Sequence, residues 1–249
     1  MSSFLPLCYE VGASGCPALS EFGRRLLDRL KFYAGYGLVG GAVISEGSAG
    51  TLRRRKKPPT SSSNRTSSRL SREDWINAAK TMLVESGIDG VKVDLLAKRM
   101  KVTRGSFYWH FEDRDALLDA LLHLWVASNT EPMLGAIKAA GARGDRKDFD
   151  ATVGRLWIDE TEFDPAFDSA IRDWARTDPE VAEAVHRIDD IRVAAFAEMF
   201  KSYGFAGDEA EVRGRIIYYH QVGYYTLGIR ESSAERERLG ALYDKVLLY

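Results

Sequence analysis

The stretch Val102-Thr103-Arg104-Gly105-Ser106-Phe107-Tyr108-Trp109-His110-Phe111 gathers side chains suited to holding a polyanion. Thr103 is a good N-cap, because its hydroxyl can accept a hydrogen bond from a first-turn N–H that has no helical partner. Gly105 and Ser106 are small enough for the backbone of that turn to come close to another surface, and its exposed N–H groups and dipole favour anions such as phosphate. Phe107 and Phe111 lie four apart and share a face of a very short helix, a face suited to a core. Arg104, Tyr108 and His110 offer donors elsewhere on its surface. One side packs and the other meets phosphates or base edges.

Three elements must position this stretch. Val93, Leu96, Ala97 and Met100 form one apolar stripe on a preceding helix. Lys101 and Val102 leave room only for a tight turn before Thr103, the connection of a helix-turn-helix. Upstream, Ser71 with Asp74 makes a capping-box-like start, Trp75, Ala78, Ala79, Met82 and Leu83 share a face, and Gly87 is a stop. A three-helix head is expected.

From about Arg69 to Leu122 the chain resembles the TetR family of transcriptional regulators. The resemblance is carried by Glu85-Ser86-Gly87 at the end of the first helix, then Leu95-Leu96-Ala97, then the run from Val102 to Phe111, then Asp113-Arg114-Asp115-Ala116-Leu117-Leu118. It implies that the helix from Thr103 is the recognition helix, and that Phe111 packs just before a long fourth helix capped by Asp113. One departure is Lys101, where many members have glycine, since a lysine takes a left-handed conformation only at some cost. For contact with double-stranded DNA the candidates are Lys92, Thr103, Arg104, Gly105, Ser106, Tyr108, Trp109 and His110. Lys92 and Tyr108 would position phosphates, Arg104 and Ser106 reach base edges, and Trp109 or His110 do either.

Beyond the head the pattern is helical throughout, and the expected fold class is all-α: a disordered N-terminal extension, a helix-turn-helix domain, and a helical effector-binding and dimerisation domain. The fourth helix is read from Asp113 to about Asn129, toward Pro132, and it is the natural lever between the two domains. Later helices are read around 149 to 162, 166 to 176, 179 to 203, 208 to 228 and 233 to 248. Asp164-Pro165 and Asp178-Pro179 mark starts, and Gly204 and Gly207 mark an end. The aromatics of this body read first as core. The resemblance implies a pocket among them for an unidentified small-molecule effector, with Trp157, Phe163, Trp174 and Tyr219 as candidate wall residues.

Ile216, Ile217, Tyr219, His220, Gly223, Tyr224 and Leu227 form one broad face near the C-terminus, and Leu239, Leu242, Tyr243, Val246 and Leu247 form another. In the proteins this chain resembles, two such helices per subunit build a four-helix homodimer interface, and a twofold protein matches a pseudo-palindromic operator. His220 reads as a satisfied core histidine ahead of a ligand or interface contact.

The overall net charge of −1 combines a basic leader, a neutral head and an acidic body, which suits a chain that holds a polyanion at one end. Residues 1–68 are read as leader and linker, 69–116 as the DNA-binding domain and 117–249 as the body. The leader's run Arg53-Arg54-Arg55-Lys56-Lys57 followed by Pro58-Pro59 and a Ser/Thr/Asn-rich stretch is expected to be disordered; it reads first as a solvated tail or as upstream sequence from a wrongly chosen start, and second as an arm that adds nonspecific phosphate contacts. A short amphipathic helix is read over 21–33. Cys8 and Cys16 match no metal or redox spacing. The apolar run from Tyr33 to Ile44 is shorter than the ~20 residues a membrane span needs, and no basic-then-apolar start resembles a secretory signal, so a cytoplasmic location is expected.

No phosphate-loop, zinc-protease, nucleophile-elbow or dinucleotide fingerprint occurs, and His110, His123, His186 and His220 are scattered. Asp189-Asp190 and the cluster Asp159, Glu160 and Glu162 read as solvated helix faces. No catalytic residue, metal ligand or cofactor is therefore assigned. The competing class is an all-α small-molecule-binding or catalytic protein that keeps a helix-turn-helix.

Overall fold

Five of the helices among the described residues open on a serine or aspartate whose side chain caps the first turn. In the computed structural model, which describes residues 70–153, 156–157 and 160–249, α1 (Arg72–Ser86) opens with a reciprocal cap. Ser71 Oγ accepts from the Asp74 N–H at 3.1 Å, and Asp74 Oδ2 accepts from the Ser71 N–H at 2.7 Å. Gly87 ends α1 at φ 67°, a left-handed value glycine takes without strain. A 3₁₀ turn over Ile88–Gly90 leads into α2 (Val93–Arg99), and Lys101 turns the chain at φ 57° before α3 (Arg104–Phe107). The lysine does accept the left-handed geometry of the tight turn.

Thr103 departs from expectation. Its backbone has the extended geometry of a cap, but its hydroxyl makes no capping bond. The Ser106 N–H bonds the Thr103 carbonyl at 3.0 Å instead, so this turn is closed through the backbone.

Asp113 caps α4 (Arg114–Trp125) by accepting from the Ala116 N–H at 2.7 Å. The helical path does not stop near Pro132. It widens into a π turn over Val126–Thr130, in which the Glu131 N–H bonds the Val126 carbonyl, and continues as α5 (Glu131–Arg143). That register places Pro132 in a first turn, where its missing N–H has no bond to lose, so the proline marks a helix start. α6 (Lys147–Val153) starts two residues ahead of the expected 149–162 helix and overlaps its beginning; Leu156 and Trp157 are helical as well, and Glu160, at φ 53°, stands outside a helix before the expected end.

The two Asp-Pro starts form as expected. Asp164 caps α7 (Pro165–Ala175) through the Phe167 N–H at 3.0 Å, and Asp178 caps α8 (Pro179–Ser202) through the Glu180 N–H at 3.0 Å. α9 (Gly207–Thr226) and α10 (Ser233–Leu248) follow, the last opened by a Ser232–Glu235 capping box. The described residues contain no strand, and none of their helices is long and apolar enough to cross a membrane. The basic leader, the helix read over 21–33 and both cysteines lie outside the described residues.

Two apolar clusters organise these helices. The first runs without interruption from the head into the body: Trp75, Leu83, Leu96, Phe107, Leu117 and Leu121 join Trp125, Phe167, Ile171 and Val181. The second lies deeper in the body and includes Met133, Ile137, Phe149, Trp157, Phe196, Phe200 and Ile217. α9 lies tight against α8 because Gly214 has no side chain; a Cβ there would meet the Ala197 nitrogen at 2.8 Å. Lys80 of α1 also reaches the cap of α7, with its ammonium 2.7 Å from the Asp164 carboxylate.

Candidate nucleic-acid interface and body cavity

The short α3 has one fixed face and one offered face. Phe107 and Phe111 are buried and stack at 5.3 Å, and Trp75 of α1 meets Phe107 edge-on at 5.3 Å. The Arg72 guanidinium covers the Phe111 ring at 4.7 Å. With the ring at 107 pinned inward, the following side chains face outward: Tyr108 is 61% and Trp109 76% exposed. Arg104 pairs with Asp94 at 3.1 Å, but both side chains are about two-thirds exposed, so the pair contributes little and is readily given up to a phosphate or base. Lys92, at the N-cap of α2, is exposed, as are Thr103 and Gly105, while Ser106 and His110 are half-buried. All eight candidates thus lie in the α2–α3 unit and none is buried.

Nothing in the fold requires glycine at 105. A Cβ would find only Thr103 Oγ1, at an ordinary 3.7 Å. The bare backbone there is available to an outside surface.

Several supporting residues escaped the sequence reading. Arg114 donates from Nε to the Val91 carbonyl at 2.7 Å and from Nη2 to the Ile88 carbonyl at 3.2 Å, fixing the loop that feeds α2. Arg99 makes a two-pronged bond to Glu85 at 2.5 and 3.0 Å, which holds the Glu85 carboxyl below its ordinary range and ties α2 to α1. Lys98 and Lys101 add exposed cations at the turn. Lys101 thus contributes a cation as well as its left-handed backbone.

The body holds polar groups in its interior. Arg192, fully buried in α8, donates to Asp168 Oδ1 at 3.0 Å, to the Tyr218 hydroxyl at 3.2 Å and to Thr130 Oγ1 at 2.8 Å. Asp168 also accepts from Trp125 Nε1 at 2.9 Å and Arg172 Nε at 2.8 Å. Arg172 then grips both oxygens of Asp189 at 2.9 and 2.7 Å, and the Tyr218 hydroxyl donates to Asp189 at 2.6 Å. Burial alone would raise the Asp168 carboxyl, but Arg192 and Arg172 outweigh it and hold the group below its ordinary value. Burial pushes the Tyr218 phenol up, so it remains a donor at neutral pH. Asp189, read as part of a solvated face, is a bonded member of this cluster.

The cluster forms part of the wall of a narrow cavity of about 10 Å³, whose other lining includes Met133, Trp157, Phe163, Gln221, Val222 and Tyr225. Such a space admits about one water. Of the four candidate ligand residues, Trp157 and Phe163 line it; Trp174 is buried in the first apolar cluster and Tyr219 is exposed on α9. Sequence reasoning missed Asp168, Arg172, Arg192, Tyr218 and Gln221. A signal existed in α8, where Arg192 stands four residues from both Ile188 and Phe196 on an otherwise apolar stripe.

α9 and α10 leave a broad apolar face uncovered. Ile216, Tyr219, Leu242 and Tyr243 are about half exposed, and Leu227 and Val246 are 76% and 73% exposed. His220 is not a core histidine. It lies on this outer face, its ring 4.6 Å from that of Tyr243, and partial burial lowers its pKa.

Comparison with known proteins falls on the head. Residues 76–121 match the family profile described as bacterial regulatory proteins, tetR family. The chain is 44% identical over 54 residues to the class D tetracycline repressor protein of Escherichia coli, an alignment covering 22% of this chain and 25% of the relative. It is 40% identical over 62 residues to the class A protein from transposon 1721 of Escherichia coli, covering 25% and 29%. The chain therefore spans little more than a quarter of the length of these two relatives. A solved structure from Mesorhizobium loti MAFF303099, described as a TetR-family transcriptional regulator, superposes with a TM-score of 0.54 over 75% of this chain and 98% of that one at 16% identity, a likeness of fold.

Proposed function

We propose, from the premise that this chain belongs to the TetR family of bacterial regulatory proteins, that it is a ligand-responsive, sequence-specific transcriptional repressor acting as a homodimer in the cytoplasm. The observation that carries the reading is the construction of α3: a four-residue helix whose buried aromatic pair leaves Arg104, Tyr108 and Trp109 turned outward. Lys92 and Tyr108 position phosphates, Arg104 and Ser106 reach base edges in the major groove, and Gly105 lets the backbone approach. Residues 69–116 act as the DNA-binding domain and 117–249 as the effector-binding and dimerisation domain.

The exposed apolar face of α9 and α10 supports the dimer, since a contiguous patch of that kind on a protein surface marks an interaction site. Two copies related by a twofold axis present two recognition helices to a pseudo-palindromic operator. Release requires that the effector bind more tightly to a conformation whose head spacing no longer fits DNA. α4 and the Lys80–Asp164 contact are the available levers, because each touches both head and body.

The test is a mobility shift with DNA from upstream of the protein's own gene against scrambled competitor. The intact dimer should retain that DNA selectively, while Arg104→Ala and Tyr108→Phe should release it. If both variants bind as before in a folded dimer, the assignment of α3 is wrong. If no segment is preferred at all, what remains is an all-α small-molecule-binding or catalytic protein with a vestigial helix-turn-helix.

A further inference from the structure

We propose that the body cavity takes an uncharged molecule presenting a carbonyl oxygen, a ketone, lactone or amide, on an aromatic or apolar frame. This rests on the reading of the body as an effector-binding domain and supplies the chemistry of that effector.

The first observation is a set of N–H donors. Three side chains on the cavity wall, each more than nine-tenths buried, carry a buried nitrogen with no hydrogen-bond partner: Arg192 Nε, Trp157 Nε1 and Gln221 Nε2. Arginine and tryptophan side chains have no acceptor at all, so these positions are satisfied only by an oxygen or other acceptor brought to them. A buried donor without one carries its full desolvation cost. These nitrogens come from α8, from the Leu156–Trp157 segment and from α9, and the wall between them also carries Phe163 and Tyr225, stacked at 5.9 Å.

The second observation is the charge balance. Among the described residues of the wall and its bonded neighbours, Arg172 and Arg192 are matched by Asp168 and Asp189, with direct bonds between them. A carboxylate would add an unmatched negative charge to an interior already neutral, at a high desolvation cost. An ammonium would face donors. What the three unpaired nitrogens lack is an acceptor that brings no charge, the description of a carbonyl group, and Met133 and Val222 supply apolar surface for the rest of the molecule.

The cavity is small as it stands, and its yielding side is at Tyr225. Among the described residues the Tyr225 hydroxyl bonds Glu160 at 3.1 Å and Arg236 at 3.4 Å, contacts toward the surface, whereas the opposite side is the buried ion cluster. The acceptor would engage the same guanidinium whose Nη2 holds Thr130 in the π turn and whose Nη1 shares Asp168 with Trp125 at the end of α4. Occupancy is thereby connected to the helix that enters the head.

The experiment uses the full chain and three probes on one ring: acetophenone, benzoate and cumene, followed by isothermal titration at millimolar concentration, the range in which ligands of about ten heavy atoms bind. Acetophenone should bind about tenfold more tightly than either benzoate or cumene, the difference one or two satisfied donors make. Gln221→Leu and Trp157→Phe should each remove most of that advantage while leaving cumene unchanged. The probe series on the unaltered chain stands whether or not the variants fold. Benzoate binding as well as acetophenone would overturn the uncharged class, and cumene binding as well would overturn the role of the donors; either leaves the cavity a ligand site. If none of the three binds, the effector-pocket reading falls and this inference with it.

Discussion

In the head, the polar side chains offered to a partner are exposed and the groups that hold them in place are apolar rings. Arg104 and Tyr108 are solvated, and they are where they are because Phe107, Phe111 and Trp75 pack beneath them. In the body the order is reversed. Arg192, Asp168, Gln221 and Trp157 are buried, and Arg192 and Asp168 are themselves part of what holds α4, α7, α8 and α9 together. The contrast separates recognition from stability: an offered head side chain such as Arg104 can be removed at small structural cost, whereas Arg192 or Asp168 cannot be removed without unbalancing its bonded neighbours.

The largest expected effect breaks the body's half of the contrast. Arg192→Leu takes a buried cation from Asp168, which keeps Trp125 and Arg172, and a donor from Thr130, and should cost about 3–5 kcal/mol in denaturant unfolding, whereas Arg104→Ala should change stability by less than about 0.5 kcal/mol. Equal effects would erase the distinction. Gly214→Ala comes next: with the Ala197 nitrogen 2.8 Å from the new carbon, α9 must move off α8, at about 1–3 kcal/mol.

On the head the readout shifts to DNA. Arg104→Ala should weaken specific binding by about 1–3 kcal/mol and relax base preference at the position it reads, measured by fluorescence anisotropy. Gly105→Ala sharpens the point, since the chain itself has room for the methyl group. Its melting temperature should hold while DNA affinity drops, and undiminished affinity would show that the backbone makes no close approach.

The smallest effect concerns pH. Asp168 has a folded pKa below its ordinary value, so its contribution is complete above the usual carboxylate range and is lost as pH falls through that range toward the lower folded value. Thermal unfolding followed from neutral pH down to about 3 should show this acid loss, and Asp168→Asn, less stable at the start, should show a shallower one.

The same contrast governs how far the sequence could be read. Head features are local: the Ser71–Asp74 cap, the Gly87 stop, the Lys101 turn and the Asp113 cap each depend on residues within a few positions, and each is found as expected. The Thr103 hydroxyl departs from this pattern: it makes no capping bond, and the Ser106 N–H closes the turn on the Thr103 carbonyl. In the body, α5 was missed because Pro132 reads as a stop, and only the π register makes it a start. The ion cluster was missed because its bonds join residues far apart in the chain, Thr130 to Arg192 and Trp125 to Asp168, and no spacing rule connects them. Asp189 looked like half of an exposed acidic pair until Arg172 and Tyr218 were seen beside it.

The central claim is that the head, presented twice by a dimer, reads DNA sequence. Selection of bound fragments from random-sequence duplex DNA by the intact chain, followed by sequencing, tests it most directly. The account predicts enrichment of a twofold-symmetric site that Arg104→Ala fails to enrich, and a bound pool indistinguishable from the input would contradict it.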